Sequence, residues 1–319
     1  MQKTPDFWYK RGRTFTAHAL RPASWLYQGA HQINKALQPK PYKSEIPVIC
    51  IGNAVAGGSG KTPTVIALVK LLKEQGICKA PYILSRGYGG TIKETTLIDN
   101  SKHSAQDIGD EPLLLSQHAP VIIGANRADS AKLAKKSGAD LIIMDDGLFN
   151  QSLNKTINLL VVDRAVDFGN GLTIPAGPLR EPLSKILPRV QGVICIGKAF
   201  HSDLPVIEAT ITPANTINTQ QSYIAFAGLG RPEKFKQTLE ENGINVVSWH
   251  AFPDHHPYTD KEIETLKKEA QEKDAKLITT EKDLVKINSD LRNNIDVLKI
   301  KLSMSNDDTL TNLIKSYIK

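Results

Sequence analysis

Short apolar runs, rich in Val and Ile, recur along the first two hundred residues and are bounded by turn-forming residues. Runs of this kind are typical of strands that are buried on both faces of a parallel sheet. Several of the intervening stretches are long enough for helices, so the pattern predicts an α/β fold with a mostly parallel sheet and helices on both faces. The predicted strands are at 48–51, 82–84, 121–123, 141–144, 159–162 and 193–196.

A second, smaller set of apolar runs follows a polar stretch at 210–222, which is rich in Thr, Asn and Gln and predicts a linker. The second set predicts strands at 223–227, 246–249, 277–279 and 297–300, and helices at 232–242, 259–273 and from about 307. The chain is therefore predicted to have four segments. They are an N-terminal helical region at 1–43, a core at 44–215, a smaller C-terminal α/β domain at 216–303 and a terminal helix at 304–319.

Charge sets the N-terminal region apart from the rest of the chain. The 319 residues carry 40 Lys and Arg against 33 Asp and Glu, a formal net charge of +7. Residues 1–43 hold eight of these cations, one of the anions and seven of the aromatic side chains, so the whole excess of charge lies there. Cations at positions 10, 11, 13, 21 and 35 interrupt every apolar stretch, which excludes a signal peptide or a membrane span in this region.

Three environments fit such a basic, aromatic helix. Its rings and cations suit the headgroup layer of an anionic membrane. Alternatively, the rings pack on the body of the protein while the cations are solvated. Stacking on nucleic acid bases is the third reading, although no RNP-like or zinc-finger pattern accompanies it. His18 and His31 in this region are predicted to be ordinary surface residues.

The three cysteines, Cys50, Cys78 and Cys195, lie far apart and lack the Cys-x-x-Cys spacing. This excludes a disulfide scaffold or a zinc cluster and favours a reducing compartment such as the cytoplasm. With 40% hydrophobic and 23% charged residues, the composition is that of an ordinary globular protein.

The strongest chemical signal follows the first predicted strand, in the sequence Gly-Asn-Ala-Val-Ala-Gly-Gly-Ser-Gly-Lys-Thr-Pro at 52–63. A strand, a glycine-rich loop and Gly-Lys-Thr at the start of a helix are the context of a phosphate-binding P-loop. Lys61 would reach the β- and γ-phosphates and Thr62 would ligate Mg²⁺. The first glycine of the usual pattern is replaced by Val55. The predicted nucleotide-binding residues are Ala56, Gly57, Gly58, Ser59, Gly60, Lys61, Thr62 and Pro63.

Two acidic pairs are further candidates for chemistry. Asp145 and Asp146 end a buried strand, where carboxylates hold Mg²⁺ in P-loop enzymes, so both are predicted metal ligands with Thr62. Asp110 and Glu111 follow Gly109 and precede a proline, which fits either a functional pair or a plain helix start.

Histidines occur beside an aspartate in the second domain, in Asp254-His255-His256. Adjacent side chains rarely converge on one metal ion, so this motif is a weak metal signal. A histidine that supports a general base in a site between the domains is the better reading.

Seven motifs in a fixed order carry a family resemblance. They are the P-loop at 52–63, Ile-Leu-Ser-Arg-Gly-Tyr-Gly-Gly at 83–90, Gly-Asp-Glu-Pro at 109–112, Asp-Asp-Gly-Leu at 145–148, Phe-Gly-Asn-Gly at 168–171, Pro-Ala-Gly-Pro-Leu-Arg-Glu-Pro at 175–182 and Phe-Pro-Asp-His-His at 252–256. Together they resemble the tetraacyldisaccharide 4'-kinase family of lipid A biosynthesis. Trp25-Leu26-Tyr27 is similar to a segment of that family's membrane-associating helix.

The resemblance implies transfer of the γ-phosphoryl group of ATP, with Mg²⁺, to the 4'-hydroxyl of a tetraacylated disaccharide 1-phosphate. It also implies a P-loop kinase core with a smaller C-terminal α/β domain. The acyl chains of such a substrate stay in the bilayer, so residues 1–43 are expected to bind an anionic membrane surface. The implied location is the cytoplasmic side of the inner membrane of a Gram-negative bacterium, as a peripheral protein, with no nucleic acid and no obligate protein partner.

Residue roles follow from the chemistry together with the resemblance. Asp110 is the expected general base, with His255 as its dyad partner, although Asp145 is an alternative base. Lys61 and Arg180 are the other expected catalytic residues. The expected substrate-binding residues are Glu111, Arg127, Arg180 and Asp146, where a guanidinium fork matches phosphate oxygens. Arg86 is either near the phosphates or part of a turn.

One departure and one alternative function remain. The resemblance implies Gln two residues after the Asp-Asp-Gly motif, but this chain has Phe149, which puts the orientation of substrate or nucleotide in doubt. The alternative is a membrane-associated P-loop switch ATPase of the partition or division type. That class needs a signature lysine where this chain has Ala56, and its membrane helix lies at the C-terminus.

Overall fold

Two β-sheets, one of nine strands and one of four, form the frame of the molecule. They are described by a computed structural model that covers residues 5–10, 12, 14–58 and 60–318. The strands are β1 Val48–Gly52, β2 Pro81–Ser85, β3 Thr96–Leu97, β4 Val121–Ile123, β5 Leu141–Asp145, β6 Ile157–Asp163, β7 Gly192–Ile196, β8 Val206–Pro213, β9 Ser222–Ala227, β10 Asn245–Ala251, β11 Lys276–Thr280, β12 Ile295–Leu298 and β13 Ile300–Met304.

Helices connect most of these strands. They are α1 Phe15–Ala19, α2 Arg21–Ala36, α3 Lys61–Glu74, α4 Ala105–Ile108, α5 Asp110–Leu115, α6 Arg127–Lys136, α7 Leu183–Ile186, α8 Pro232–Glu241, α9 Asp260–Glu272, α10 Glu281–Leu284 and α11 Asp307–Tyr317. Short 3₁₀ turns are at Asp6–Trp8, Leu187–Arg189 and Ser289–Leu291.

The large sheet has the order β13-β8-β7-β6-β1-β5-β2-β4-β3. All neighbours from β8 to β4 are parallel, and the edge strands β13 and β3 are antiparallel to their neighbours. Successive residues of β1 enter opposite cores, with Ile49 and Ile51 on one face and Val48 and Cys50 on the other. The predicted fold class, a mostly parallel sheet covered on both faces, is confirmed.

The small sheet is wholly parallel, in the order β10-β9-β11-β12. The chain reaches it after β8 and returns through β13, which pairs antiparallel with β8. Leu310 and Ile314 of α11 then complete a core of the large sheet.

Two sequence predictions were wrong where the chain leaves the large sheet and where it returns to it. The predicted linker at 210–222 begins inside β8, and the predicted strand at 297–300 is divided between β12 of the small sheet and β13 of the large one. β8 alternates buried and exposed residues, with Ile207 and Ala209 inside and Glu208 and Thr210 outside. Polar residues at 208, 210 and 212 therefore interrupt the strand, so a search for continuous apolar runs passes over it.

Helix α2 is amphipathic in an unusual sense, because its polar stripe faces the protein. Ser24 and Gln28 donate hydrogen bonds to the main chain and side chain of Thr173, at 2.8 and 2.7 Å. The opposite side exposes Leu26 and Ile33, whose relative exposures are 77% and 65%. No helix in the described part of the chain is both long and apolar enough to cross a membrane.

Candidate active site

The P-loop joins β1 to α3 at the carboxyl edge of the large sheet, where α/β proteins bind their ligands. Gly60 precedes α3 in the left-handed region, at φ 79°, and a Cβ there would lie 2.2 Å from Ile196 Cδ1. The left-handed backbone conformation favours glycine at this position. The predicted residues Ala56, Gly57, Gly58, Lys61, Thr62 and Pro63 form the loop and the first turn of α3, while Ser59 lies outside the described residues.

Lys61 is held between two side chains of the same edge. Its Nζ lies 3.3 Å from Asn53 Oδ1 and 3.8 Å from Asp146 Oδ2. The buried Asn53 also donates from Nδ2 to the carbonyl of Val55 at 2.6 Å, so it fixes both the loop and the lysine. Asn53 was not among the predicted site residues, although its place inside the P-loop motif was a usable signal.

Asp145 and Asp146, at the end of β5, have opposite electrostatic environments. Asp145 is buried, and its Oδ1 has no hydrogen-bond partner among the described residues. Burial, together with the negative charge of Glu111, raises the pKa of Asp145 to about 7. Burial also disfavours ionised Asp146, but the charges of Lys61 and Arg180 outweigh it and lower the pKa of Asp146.

This pair fits a divalent cation. A buried carboxylate oxygen without a hydrogen-bond partner lies beside a second carboxylate. Mg²⁺ takes few protein ligands, because it keeps water and phosphate oxygens in its shell. The described residues contain no group of three or more His, Cys, Asp or Glu that could hold a metal by themselves. Asp145, Asp146 and the hydroxyl of Thr62 are the residues that would hold the ion.

Asp110 and His255 meet across the two sheets, as predicted from the sequence. Asp110 is the first residue of α5 and His255 follows β10, and His255 Nδ1 lies 3.0 Å from each carboxylate oxygen of Asp110. Burial disfavours the Asp110 charge, but the hydrogen bond to His255 and the charge of Lys282 outweigh it and lower the pKa of Asp110 to about 2. The ring of Tyr88 packs edge-on against His255.

Gly109 makes this placement of Asp110 possible. It adopts φ 91°, and a Cβ at this position would lie 2.3 Å from the carbonyl oxygen of Tyr88. The glycine therefore allows α5 to begin against the Tyr88 main chain.

Lys282 of α10 was missed by the sequence analysis. Its side chain is 20% exposed, and its Nζ lies 3.1 Å from Glu111 Oε1, 3.8 Å from Asp110 Oδ2 and 3.9 Å from Asp254 Oδ1. Burial disfavours the ammonium ion, but these three carboxylates outweigh it and raise the pKa of Lys282. A lysine in a four-residue helix, distant in sequence from its partners, carries no signal in the sequence alone.

The three predicted arginines have different surroundings. Arg180 makes a bidentate contact with Asp146, at 3.1 and 3.4 Å, and lies 5.7 Å from the ring of Phe149. Arg127 is buried at the start of α6 and donates to the carbonyl of Gly124, and burial lowers its pKa to about 10. Arg86 is exposed.

The segment at 170–181 links α2 to the P-loop. Ala56 donates to the carbonyl of Pro178 at 2.8 Å, and Arg180 donates from its main chain to the carbonyl of Ala54 at 3.0 Å. At the other side, His31 Nε2 of α2 lies 2.8 Å from Glu181 Oε1. The prediction that His31 is an ordinary surface residue was wrong, because its partner is 150 positions away in the chain.

Comparisons with known proteins agree on one family. The sequence model of the family described as tetraacyldisaccharide-1-P 4'-kinase matches residues 16–319. A tetraacyldisaccharide 4'-kinase of Methylorubrum extorquens strain PA1 is 41% identical, over 97% of this chain and 96% of its own length. The corresponding protein of Gluconobacter oxydans is 39% identical, over 94% of each chain.

A solved structure is similar over nearly its whole length. It is the crystal structure of the "apo" form of LpxK from Aquifex aeolicus in complex with ATP, which superposes with a TM-score of 0.80. That protein is 29% identical, and the match covers 95% of this chain and 99% of the other.

Proposed function

The chain belongs to the tetraacyldisaccharide-1-P 4'-kinase family and is an ATP-dependent 4'-kinase of lipid A biosynthesis, and we propose that Asp110 and His255 form its catalytic dyad. One observation carries the proposal. His255 Nδ1, from the smaller sheet, lies 3.0 Å from the carboxylate oxygens of the buried Asp110. This contact is at the same edge of the large sheet as the phosphate-binding loop. A carboxylate base beside a bound triphosphate suits transfer of a phosphoryl group to an alcohol.

In the proposed reaction, the 4'-hydroxyl oxygen forms a bond to the γ-phosphorus while the bond from that phosphorus to the bridging oxygen of ADP breaks. The hydroxyl proton moves to the carboxylate of Asp110. His255 Nδ1–H donates to that carboxylate and keeps it oriented, and the ionised state follows from the lowered pKa of Asp110. Lys61 and the main-chain N–H groups of the loop bind the triphosphate.

Mg²⁺ would neutralise charge on the phosphate oxygens, held by Thr62, Asp145 and Asp146. Asp145 would hold the ion as a carboxylate, and the positive charge of the ion would offset the burial that raises the pKa of Asp145. This favours a ligand role for Asp145 and leaves Asp110 as the base.

Arg180 and Glu111 border the same edge and are proposed to position the substrate. Arg180 is anchored by Asp146, and its planar fork suits a phosphate of ATP or of the lipid. Glu111 is held by Lys282. Arg127 is proposed to contribute through its buried positive charge, which favours the ionised form of Asp145.

We further propose that α1 and α2 lie on an anionic membrane surface, on the cytoplasmic side of the inner membrane. Five large hydrophobic side chains are exposed in this short region. They are Phe15, Trp25, Leu26, Ile33 and Leu37. An apolar face of this kind, with Lys and Arg around it, is typical of helices that lie in the headgroup layer. The polar stripe of α2 faces the protein, where Ser24 and Gln28 form hydrogen bonds with Thr173 of segment 170–181.

The test is transfer from γ-labelled ATP and Mg²⁺ to a detergent-dispersed tetraacyldisaccharide 1-phosphate, with wild type, Lys61→Ala and Asp110→Asn. We expect a labelled bisphosphorylated lipid with wild type and a loss of about 10²-fold or more with each variant. Undiminished transfer by Asp110→Asn would reject the dyad. ATP hydrolysis without lipid phosphorylation, with membrane binding that follows the nucleotide, would favour a switch ATPase.

A further inference from the structure

Lys282 brings a positive charge from the smaller sheet into the group of carboxylates that surrounds the proposed base. Its Nζ lies within 4 Å of Asp110, Glu111 and Asp254. No other lysine or arginine in the described part of the chain makes a salt bridge to any of these three carboxylates. Lys286, the next lysine whose charge acts on Asp110, is itself paired with Asp283 at 2.6 Å.

The position of Lys282 is defined by a rigid support. It lies in α10, and the next residue, Asp283, is fully buried. Asp283 accepts hydrogen bonds from the main chain of Gly228 at 3.0 Å and from the hydroxyl of Tyr258 at 3.1 Å. Thr280 caps the same turn. Buried hydrogen bonds therefore fix the backbone that carries Lys282.

Charge balance gives this ammonium group a role. Asp110 and Glu111 are adjacent in the chain, both face Lys282, and ATP brings several further negative charges to the same edge of the sheet. Without a cation between them, like charges repel one another and disfavour the ionised carboxylate that accepts a proton. His255 also contacts Asp110, but it serves as the hydrogen-bond donor of the dyad.

We propose that Lys282 is a positioning residue of the phosphoryl transfer, whose ammonium group holds the Asp110 and Glu111 carboxylates in their reactive arrangement. The inference rests on the proposed role of Asp110 as the base. It means that the smaller sheet supplies both the hydrogen bond and the countercharge of a base that the larger sheet carries.

The chain allows a test by chemical restoration of the charge. All three native cysteines are buried, so an introduced thiol in Lys282→Cys can be alkylated selectively in the folded protein. Bromoethylamine then restores an ammonium group of nearly lysine length, whereas iodoacetamide adds a neutral group. Wild type treated with each reagent, and Lys268→Met on the exposed side of α9, serve as controls.

We expect Lys282→Cys to lower kcat about tenfold or more with a smaller change in KM for ATP. Aminoethylation restores most of the rate, and the neutral adduct does not. Unchanged kcat in Lys282→Cys overturns the inference. So does a loss that aminoethylation, verified by mass, fails to reverse, since the lysine is then structural. Asp110→Asn in the same assay separates the two proposals: if it retains activity, the base assignment itself fails.

Discussion

Asp145 is a buried carboxyl group whose environment opposes its charge. Its pKa is raised from 3.8 to about 7, so the folded protein keeps a proton that the unfolded chain loses. The resulting stability is present below about pH 4 and is lost as the pH rises toward 7. At pH 8 the ionised Asp145 therefore destabilises the metal-free protein. Carboxyl groups with pKa values shifted in this way are typical of functional sites.

Asp145→Asn is therefore expected to stabilise the metal-free protein while it abolishes phosphoryl transfer. In the presence of EDTA at pH 8, we expect a gain of roughly 1–4 kcal/mol in the free energy of unfolding, and little gain at pH 4. Urea unfolding at both pH values measures this, with the exposed Glu264→Gln as a control. An equal effect at the two pH values would contradict the assigned cause.

Gly109 and Gly138 offer a matched pair for the placement of Asp110. Both have φ 91°, but a Cβ at Gly109 meets Tyr88 O at 2.3 Å, whereas nothing lies within 4 Å of a Cβ at Gly138. We expect Gly138→Ala to cost about 1 kcal/mol of stability with normal kcat, because only the backbone is strained. Gly109→Ala should cost more and lower kcat at least tenfold, since Asp110 follows it directly. Similar kcat values in both variants would show that Asp110 tolerates the shift.

At the level of elements, α2 combines a stripe bound to the protein with an exposed apolar face. We expect Leu26→Glu combined with Ile33→Glu to weaken binding to vesicles that contain anionic phospholipid by about tenfold or more. Activity on a substrate dispersed in detergent should change far less, because neither side chain belongs to the site. Cosedimentation with vesicles measures the binding, and the exposed Gln32→Glu is the control. Unchanged binding of the double variant would remove α2 from the membrane contact.

The sequence predicted those elements in which local patterns are strong. Central strands of the large sheet are buried on both faces, so they appear as apolar runs, and the P-loop residues act within one short segment. β8 and β13 were missed because polar and apolar residues alternate along both strands. His31 and Lys282 were missed for another reason. Their partners are brought close only by packing of distant segments, which one sequence does not encode locally.

At the scale of the whole molecule, a second contact joins the two sheets beside the P-loop. Asp163 ends β6 and is buried, and it pairs with Arg231 and Lys234 from the smaller sheet's side. The charges of these partners outweigh burial and lower the pKa of Asp163. The contact therefore holds the smaller sheet against the edge that binds nucleotide.

Arg231→Met leaves the buried Asp163 with one cationic partner, Lys234, instead of two. We expect KM for ATP to rise about threefold to tenfold, because the surroundings of the nucleotide are less firmly held, with a stability loss of about 1–3 kcal/mol. Initial rates at varied ATP concentration test this, compared with Lys236→Met, which removes a lysine of α8 that pairs with Glu240 instead of Asp163. An unchanged KM for ATP would mean that the contact serves stability alone.

The return of the chain to the large sheet through β13 also affects the order in which the two sheets can fold during synthesis. β13 and α11 are translated after the entire smaller sheet, yet β13 pairs with β8, and Leu310 and Ile314 fill a core under the large sheet. The strands of the large sheet up to β8 are therefore synthesised first, but their sheet lacks β13 and part of its core. The smaller sheet is synthesised later, and all four of its strands are then already present. The large sheet is therefore completed only after the smaller sheet has been synthesised.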